Sequence, residues 1–149
     1  MCKNLGEAWN KVNKTLLRNF GSMIREQEVG YLEDVIFKRP YDCIFTSWGF
    51  GYISNDKMVE VLKRAKDSLK RDEAGKHGLV VIKESTRDAD DKFTYDPVQK
   101  LSIRTVDEYK SIFKLAGYST VYISRKPCLL LGGMQHIIGA MPFFEGEEY

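Results

Sequence analysis

Two short apolar runs, Tyr41–Ser47 and Leu79–Ile82, stand on either side of a stretch in which Met58, Val61, Leu62, Ala65 and Leu69 recur at helical spacing. A strand, an amphipathic helix and a second strand in that order predict a parallel pair, because parallel neighbours need a crossover rather than a tight turn. Ser54 or Asn55 is placed to cap the helix, which is expected to run to about Lys70. The alternation then repeats. Thr105-x-x-Glu108 is a capping box, and Val106, Tyr109, Ile112, Phe113 and Ala116 form an apolar stripe that stops at Gly117. Tyr118–Ser124 reads as a strand, Pro127 and Gly132-Gly133 punctuate, and Gln135–Phe143 reads as a closing strand. Its short connection implies one antiparallel partner in an α/β sheet.

Leu5, Ala8, Trp9, Val12, Leu16, Leu17 and Phe20 predict an amphipathic helix over 4–19, ending near Gly21. Residues 27–37 are mixed, with room for a short strand before Pro40. Tyr41–Ser47 is expected to be largely buried and to run into the glycine-spaced loop Trp48-Gly49-Phe50-Gly51-Tyr52. Residues 83–101 are polar and are expected to form one long surface loop. Asp88, Asp90 and Asp91 in it lack the spacing of a calcium loop and read as a solvated face.

The charges narrow the function classes. Among 149 residues, 23 Lys+Arg stand against 21 Asp+Glu, a net charge of +2 with the signs interspersed. Such a surface offers no broad field for nucleic acid or anionic lipid. No apolar run approaches the roughly 18 residues of a membrane span. Cys2, Cys43 and Cys128 are odd in number and far apart, which suggests neither a disulfide framework nor a zinc site and makes a reducing compartment the default. His77 and His136 have no second ligand nearby in sequence, so no metal is expected.

Tyr41-Asp-Cys-Ile-Phe-Thr-Ser-Trp-Gly-Phe-Gly-Tyr-Ile, the helix after it, and Gly78-Leu-Val-Val-Ile-Lys-Glu-Ser resemble the second half of the α-N-terminal protein methyltransferases. The resemblance covers about residues 28–143 and continues through Asp96, Arg104 and the helix ending in Ala116-Gly117. It implies a truncated class I methyltransferase sheet, Rossmann-like, of about four to five strands in the order 4-5-7-6. That sheet would be mostly parallel with one antiparallel strand and flanked by about three helices. The chain is expected to be a single domain over 1–149, with an N-terminal helical segment (1–24) before the family-like region (25–149).

Enzymes of that family move a methyl group from S-adenosylmethionine to the α-amine of proteins beginning X-Pro-Lys or X-Pro-Arg. The resemblance implies a glycine-rich turn and a ribose-binding acid that would precede residue 1, so no cofactor is expected, or S-adenosylmethionine if any. Catalytic positions of the family fall on Tyr52, Ser85 and Gln99, and its cofactor-contacting glutamines on Leu32 and Ser47. Tyrosine, with a pKa of about 10, is a poor base at neutral pH, and glutamine accepts no proton. Trp48, which packs on substrate proline in the family, and Asp96, near the site for a basic third residue, are retained. On the residues alone, Trp48, Phe50 and Tyr52 either line a peptide groove or plug a void, and Asp96 either grips a basic group or forms a turn.

If the first strands are absent, Tyr41–Ser47 loses the neighbour that covers its edge, and a bare apolar edge invites aggregation. The expectation is a partner chain on that edge. The chain therefore reads as a degenerate, non-catalytic methyltransferase-like domain acting as a structural or interaction subunit. The alternatives are one half of a split methyltransferase, or a module binding protein N-termini. Cytoplasm or nucleus follows from the resemblance. The basic first 25 residues leave a mitochondrion as the alternative.

Overall fold

A computed structural model describes residues 30–73, 77–92, 94–98, 100–127 and 134–143. The chain divides into two units, Met1–Gly30 and Tyr31–Tyr149, and the elements below belong to the second. The helix expected over 4–19 lies outside the described residues, as does Gln99.

Four strands form the main sheet: β1 (Cys43–Ser47), β2 (Leu79–Thr86), β5 (Tyr118–Pro127) and β6 (Met134–Pro142). Their spatial order is β1-β2-β6-β5. β1 and β2 are parallel, with Phe45 beside Val81, while β6 is antiparallel to both β2 and β5. β1, β2 and β5 therefore run in one direction and β6 against them. The one reversed strand sits inside the sheet, so two of its three ladders are antiparallel.

Helix α1 (Asn55–Asp67) makes the crossover, and Ser54 caps it by accepting the Lys57 N–H at 3.3 Å. Helix α2 (Val106–Leu115) starts at the expected capping box, with both reciprocal bonds formed between Thr105 and Glu108. It stops where Gly117 takes φ +84°, a left-handed conformation that glycine adopts without a Cβ penalty. These are the two α-helices among the described residues; about three were expected.

One face of the sheet carries the core. Val80 and Ile82 of β2 and Ile138 and Ala140 of β6 pack with Met58, Val61, Leu62 and Ala65 of α1 and Tyr109, Ile112 and Phe113 of α2. Burying each large aliphatic side chain contributes about 1.5–3 kcal/mol. Tyr118 joins the layers, its hydroxyl donating to the Leu62 carbonyl at 2.9 Å and its ring standing edge-on to Phe113.

Three local expectations change. Between Gly30 and Phe37 there is a 3-10 turn, Leu32–Asp34, and no strand. The Arg64 guanidinium takes the carbonyls of Glu33 and Val35, which ties this segment to α1 instead of a ladder. Among the described residues β1 has a neighbour on one side only, and its residues alternate between exposed and half-buried, so it is not largely buried. The loop expected over 83–101 is shortened by β2, which continues to Thr86, and by a small hairpin of β3 (Tyr95–Asp96) and β4 (Leu101–Ser102).

Candidate functional site

β1 ends in a turn made by Trp48 at φ 54°, a left-handed conformation that costs a bulky residue about 1–2 kcal/mol. The cost is offset by bonds from β2. The Trp48 N–H donates to the Lys83 carbonyl at 3.0 Å, and the Lys83 ammonium stands 5.3 Å from the indole centroid, a cation–π contact. One residue further, Glu84 is 2% exposed and its Oε1 accepts the N–H groups of Gly49 (2.9 Å) and Phe50 (3.0 Å).

Arg104, 5% exposed, completes the brace. Its two terminal nitrogens donate to the carbonyls of Phe50 and Ile53, and its Nε to Asn55 Oδ1, each at 2.7 Å. This planar fork fits three acceptors that a lysine could not reach together. Burial pushes the Glu84 carboxyl above the usual range, against the pull of the Phe50 and Gly49 N–H groups and of Arg104. Burial, with the Glu84 charge second, pushes the Tyr109 phenol well above its ordinary value, and the Arg104 guanidinium lies 5.9 Å from the Tyr109 ring.

Glycines let neighbouring segments close on this turn. A Cβ on Gly49 would meet Leu32 at 3.1 Å, and one on Gly51 would collide with Leu101 and come within 3.2 Å of the Ser102 carbonyl. The 3-10 turn of Leu32 and the β3–β4 hairpin thus converge on Phe50–Tyr52.

Of the residues singled out from sequence, Leu32, Ser47, Trp48 and Tyr52 come together around this turn, with the Asp96 hairpin leaning on Gly51 through Leu101. Tyr52 is 55% exposed. Asp96 Oδ1 accepts the Val98 N–H at 2.8 Å, an Asx turn. Ser85 follows Glu84 on β2, past the last β1–β2 pair (Ser47 with Lys83), and stands opposite Gln135. Leu32 offers no polar atom and packs on the core, and Ser47 is exposed at the end of β1.

Sequence reasoning missed Glu84. Its signal was parity: Val80, Ile82, Glu84 and Thr86 share the buried phase of β2, so the acid had to face the core side. Beside it, Thr86 Oγ1 lies 2.6 Å from His136 Nδ1. Burial, and secondarily Arg125, hold His136 below its ordinary pKa, with Asp88 opposing.

Comparison with known proteins bears on the same region. The model of the AdoMet-dependent proline di-methyltransferases matches residues 6–129. The alpha N-terminal protein methyltransferase 1 of Dictyostelium discoideum is 33% identical over 86 residues, 58% of this chain and 29% of that protein. The N-terminal Xaa-Pro-Lys N-methyltransferase 1 of Xenopus tropicalis is 28% identical over 86 residues, 58% of this chain and 35% of that protein. This chain thus spans about a third of the length of these relatives.

Solved structures share the fold at low identity. A SAM-dependent methyltransferase of Leishmania major superposes at TM-score 0.61, 17% identical, covering 74% of this chain and 42% of that one. The 1,6-didemethyltoxoflavin-N1-methyltransferase of Burkholderia thailandensis, with bound S-adenosylhomocysteine, superposes at 0.69, 17% identical, covering 87% and 55%. The described elements are a partial Rossmann-like α/β fold, and the chain belongs to the family of AdoMet-dependent proline di-methyltransferases.

Proposed function

We propose that this chain is a methyltransferase-related domain that transfers no methyl group by itself and serves as an interaction subunit, with another protein strand covering β1. In this reading β1, β2, β6 and β5 correspond to strands 4, 5, 7 and 6 of the class I sheet. The observation that carries it is the open β1 edge: among the described residues β1 pairs with β2 alone, and Phe45 on it is 59% exposed. The side chains at the family's general-base positions support it, since neither Tyr52 nor Gln99 readily deprotonates an ammonium at neutral pH. The compartment in this reading is reducing, cytoplasm or nucleus.

Calorimetric titration with S-adenosylmethionine, paired with a methyl-transfer assay on an X-Pro-Lys peptide, tests the first half. The expected result is neither heat nor transfer. Recovery of the chain in its native assembly tests the second: Phe45→Lys should abolish it while Tyr52→Phe leaves it intact. The reverse pattern would overturn the reading.

Family membership favours a second reading, in which this chain together with a cofactor-binding half methylates X-Pro-Lys or X-Pro-Arg N-termini. Its mark would be methyl transfer by the native assembly alongside none by the isolated chain.

A further inference from the structure

A cluster of titratable side chains stands beside the brace of the Trp48 turn. His136, half-buried at the start of β6, has Glu84 of β2 opposite it in one ladder and Arg125 of β5 opposite it in the other. Thr86 follows Glu84 on the same buried phase of β2 and brings its Oγ1 to 2.6 Å from the His136 Nδ1. Asp88 comes next, its Oδ1 3.7 Å from the Arg125 guanidinium. The ring thus stands among an acid and a hydroxyl of β2, a cation of β5 and a second acid just past β2.

Thr86 is also joined to the brace. It forms a parallel bridge with Arg104, and the next residue, Arg87, donates its N–H to the Arg104 carbonyl at 3.2 Å. The Arg104 side chain in turn holds the carbonyls of Phe50 and Ile53. A path of hydrogen bonds therefore runs from the His136 ring through Thr86 and Arg104 to the turn that follows Trp48.

The bond at Nδ1 has two forms, because a neutral imidazole can accept a proton there while an imidazolium only donates. We propose that the Thr86 hydroxyl donates to the neutral His136 ring, and that a proton added at Nδ1 reverses this bond and loosens the hold of Arg104 on the Trp48 turn. His136 is then an acid-sensitive release for that turn, independent of the interaction-subunit reading. On reversal Thr86 Oγ1 accepts, and its own hydroxyl proton loses its acceptor at a residue only 9% exposed. The new charge faces Arg125 and competes with it for Asp88, which displaces the segment just past β2. Burial first, and then Arg125, hold the ring below its ordinary 6.5, so it is mostly neutral at neutral pH and release comes on acidification.

Proton NMR of the full chain from about pH 8 to about pH 5 reads both ends of this path. The signals are the Cε1–H of His136 and the indole Nε1–H of Trp48, which is buried, both identified by triple-resonance assignment. In the wild type the Trp48 signal is expected to move with the same midpoint as His136, below 6.5. Arg125→Gln should raise that midpoint and Asp88→Asn should lower it, since these charges oppose and favour the proton. In Thr86→Val, His136 should still titrate while the Trp48 signal stays in place. Unchanged far-ultraviolet spectra at neutral pH show that the variants fold, and the wild-type comparison of midpoints needs no variant.

A Trp48 signal that ignores the His136 titration in the wild type overturns the proposal, as does one that still follows it in Thr86→Val. A Trp48 shift that survives His136→Gln also overturns it and assigns the response to another group, which Glu84→Gln would identify as Glu84 if the shift then disappears.

Discussion

Glu84 and Arg104 hold one residue from its two ends: the N–H of Phe50 donates to the Glu84 carboxylate, and the carbonyl of Phe50 accepts from the Arg104 guanidinium. Two buried charges of opposite sign are thus joined through a backbone they both immobilise. The turn that carries Trp48 and Tyr52 takes its shape from this brace, since the Gly49 N–H and the Ile53 carbonyl are held by the same pair.

Removing Glu84 should therefore cost more than one hydrogen bond. Glu84→Ala strands two backbone N–H groups and leaves Arg104 without its counter-charge, an expected loss of roughly 2–4 kcal/mol. Glu84→Gln keeps an oxygen for both N–H groups and should lose less. Urea unfolding of the two variants measures the difference. Equal losses would mean that the charge, and not the acceptor geometry, dominates.

Arg104→Lys should behave almost as badly as Arg104→Met. One ammonium cannot reach the Phe50 carbonyl, the Ile53 carbonyl and Asn55 Oδ1 together, so acceptors are left unpaired at about 1–3 kcal/mol. A double-mutant cycle of Glu84→Gln with Arg104→Met should show strong coupling, because both act on Phe50. Additive losses would mean the two charges act separately.

Stability should respond to pH with two opposed titrations. The Glu84 value is raised in the fold above 4.5, so its contribution is fully present below 4.5 and is lost as pH rises through the raised folded value. His136 is lowered below 6.5, so its contribution is present above 6.5 and is lost as pH falls through the folded value. Denaturation midpoints across this range should lose the first trend in Glu84→Gln and the second in His136→Gln. A His136→Gln protein that still loses stability below 6.5 would assign that slope to another group.

Gly51→Ala should loosen the β3–β4 hairpin by roughly 1–2 kcal/mol, since the new methyl displaces Leu101. Leu101→Ala in the same protein should recover part of the loss. Amide exchange at Tyr95–Asp96 and Leu101–Ser102 reads this directly. Unchanged protection would mean that the hairpin is held elsewhere, for example by the Ile103 N–H on the Thr94 carbonyl.

Period and capping alone determined where α1 and α2 begin, where α2 stops, and that strands alternate with helices. Those signals are local: Thr105 and Glu108 satisfy each other within one turn, and Gly117 is needed wherever its φ is positive. The motif resemblance located the Trp48 turn, because its glycine spacing lies within five residues. Residue type alone left Asp96 open between a ligand group and a turn former, and in the structure its Oδ1 accepts the Val98 N–H. What only the tertiary structure decided depends on neighbours distant in the chain. β1 reads as apolar in sequence, yet burial needs a strand or layer on each side, and among the described residues only β2 lies beside it. Glu84 reads as a polar strand end. It becomes the anchor of a turn 34 residues earlier because β1 and β2 run parallel, and that brings the ends of both strands to the same place.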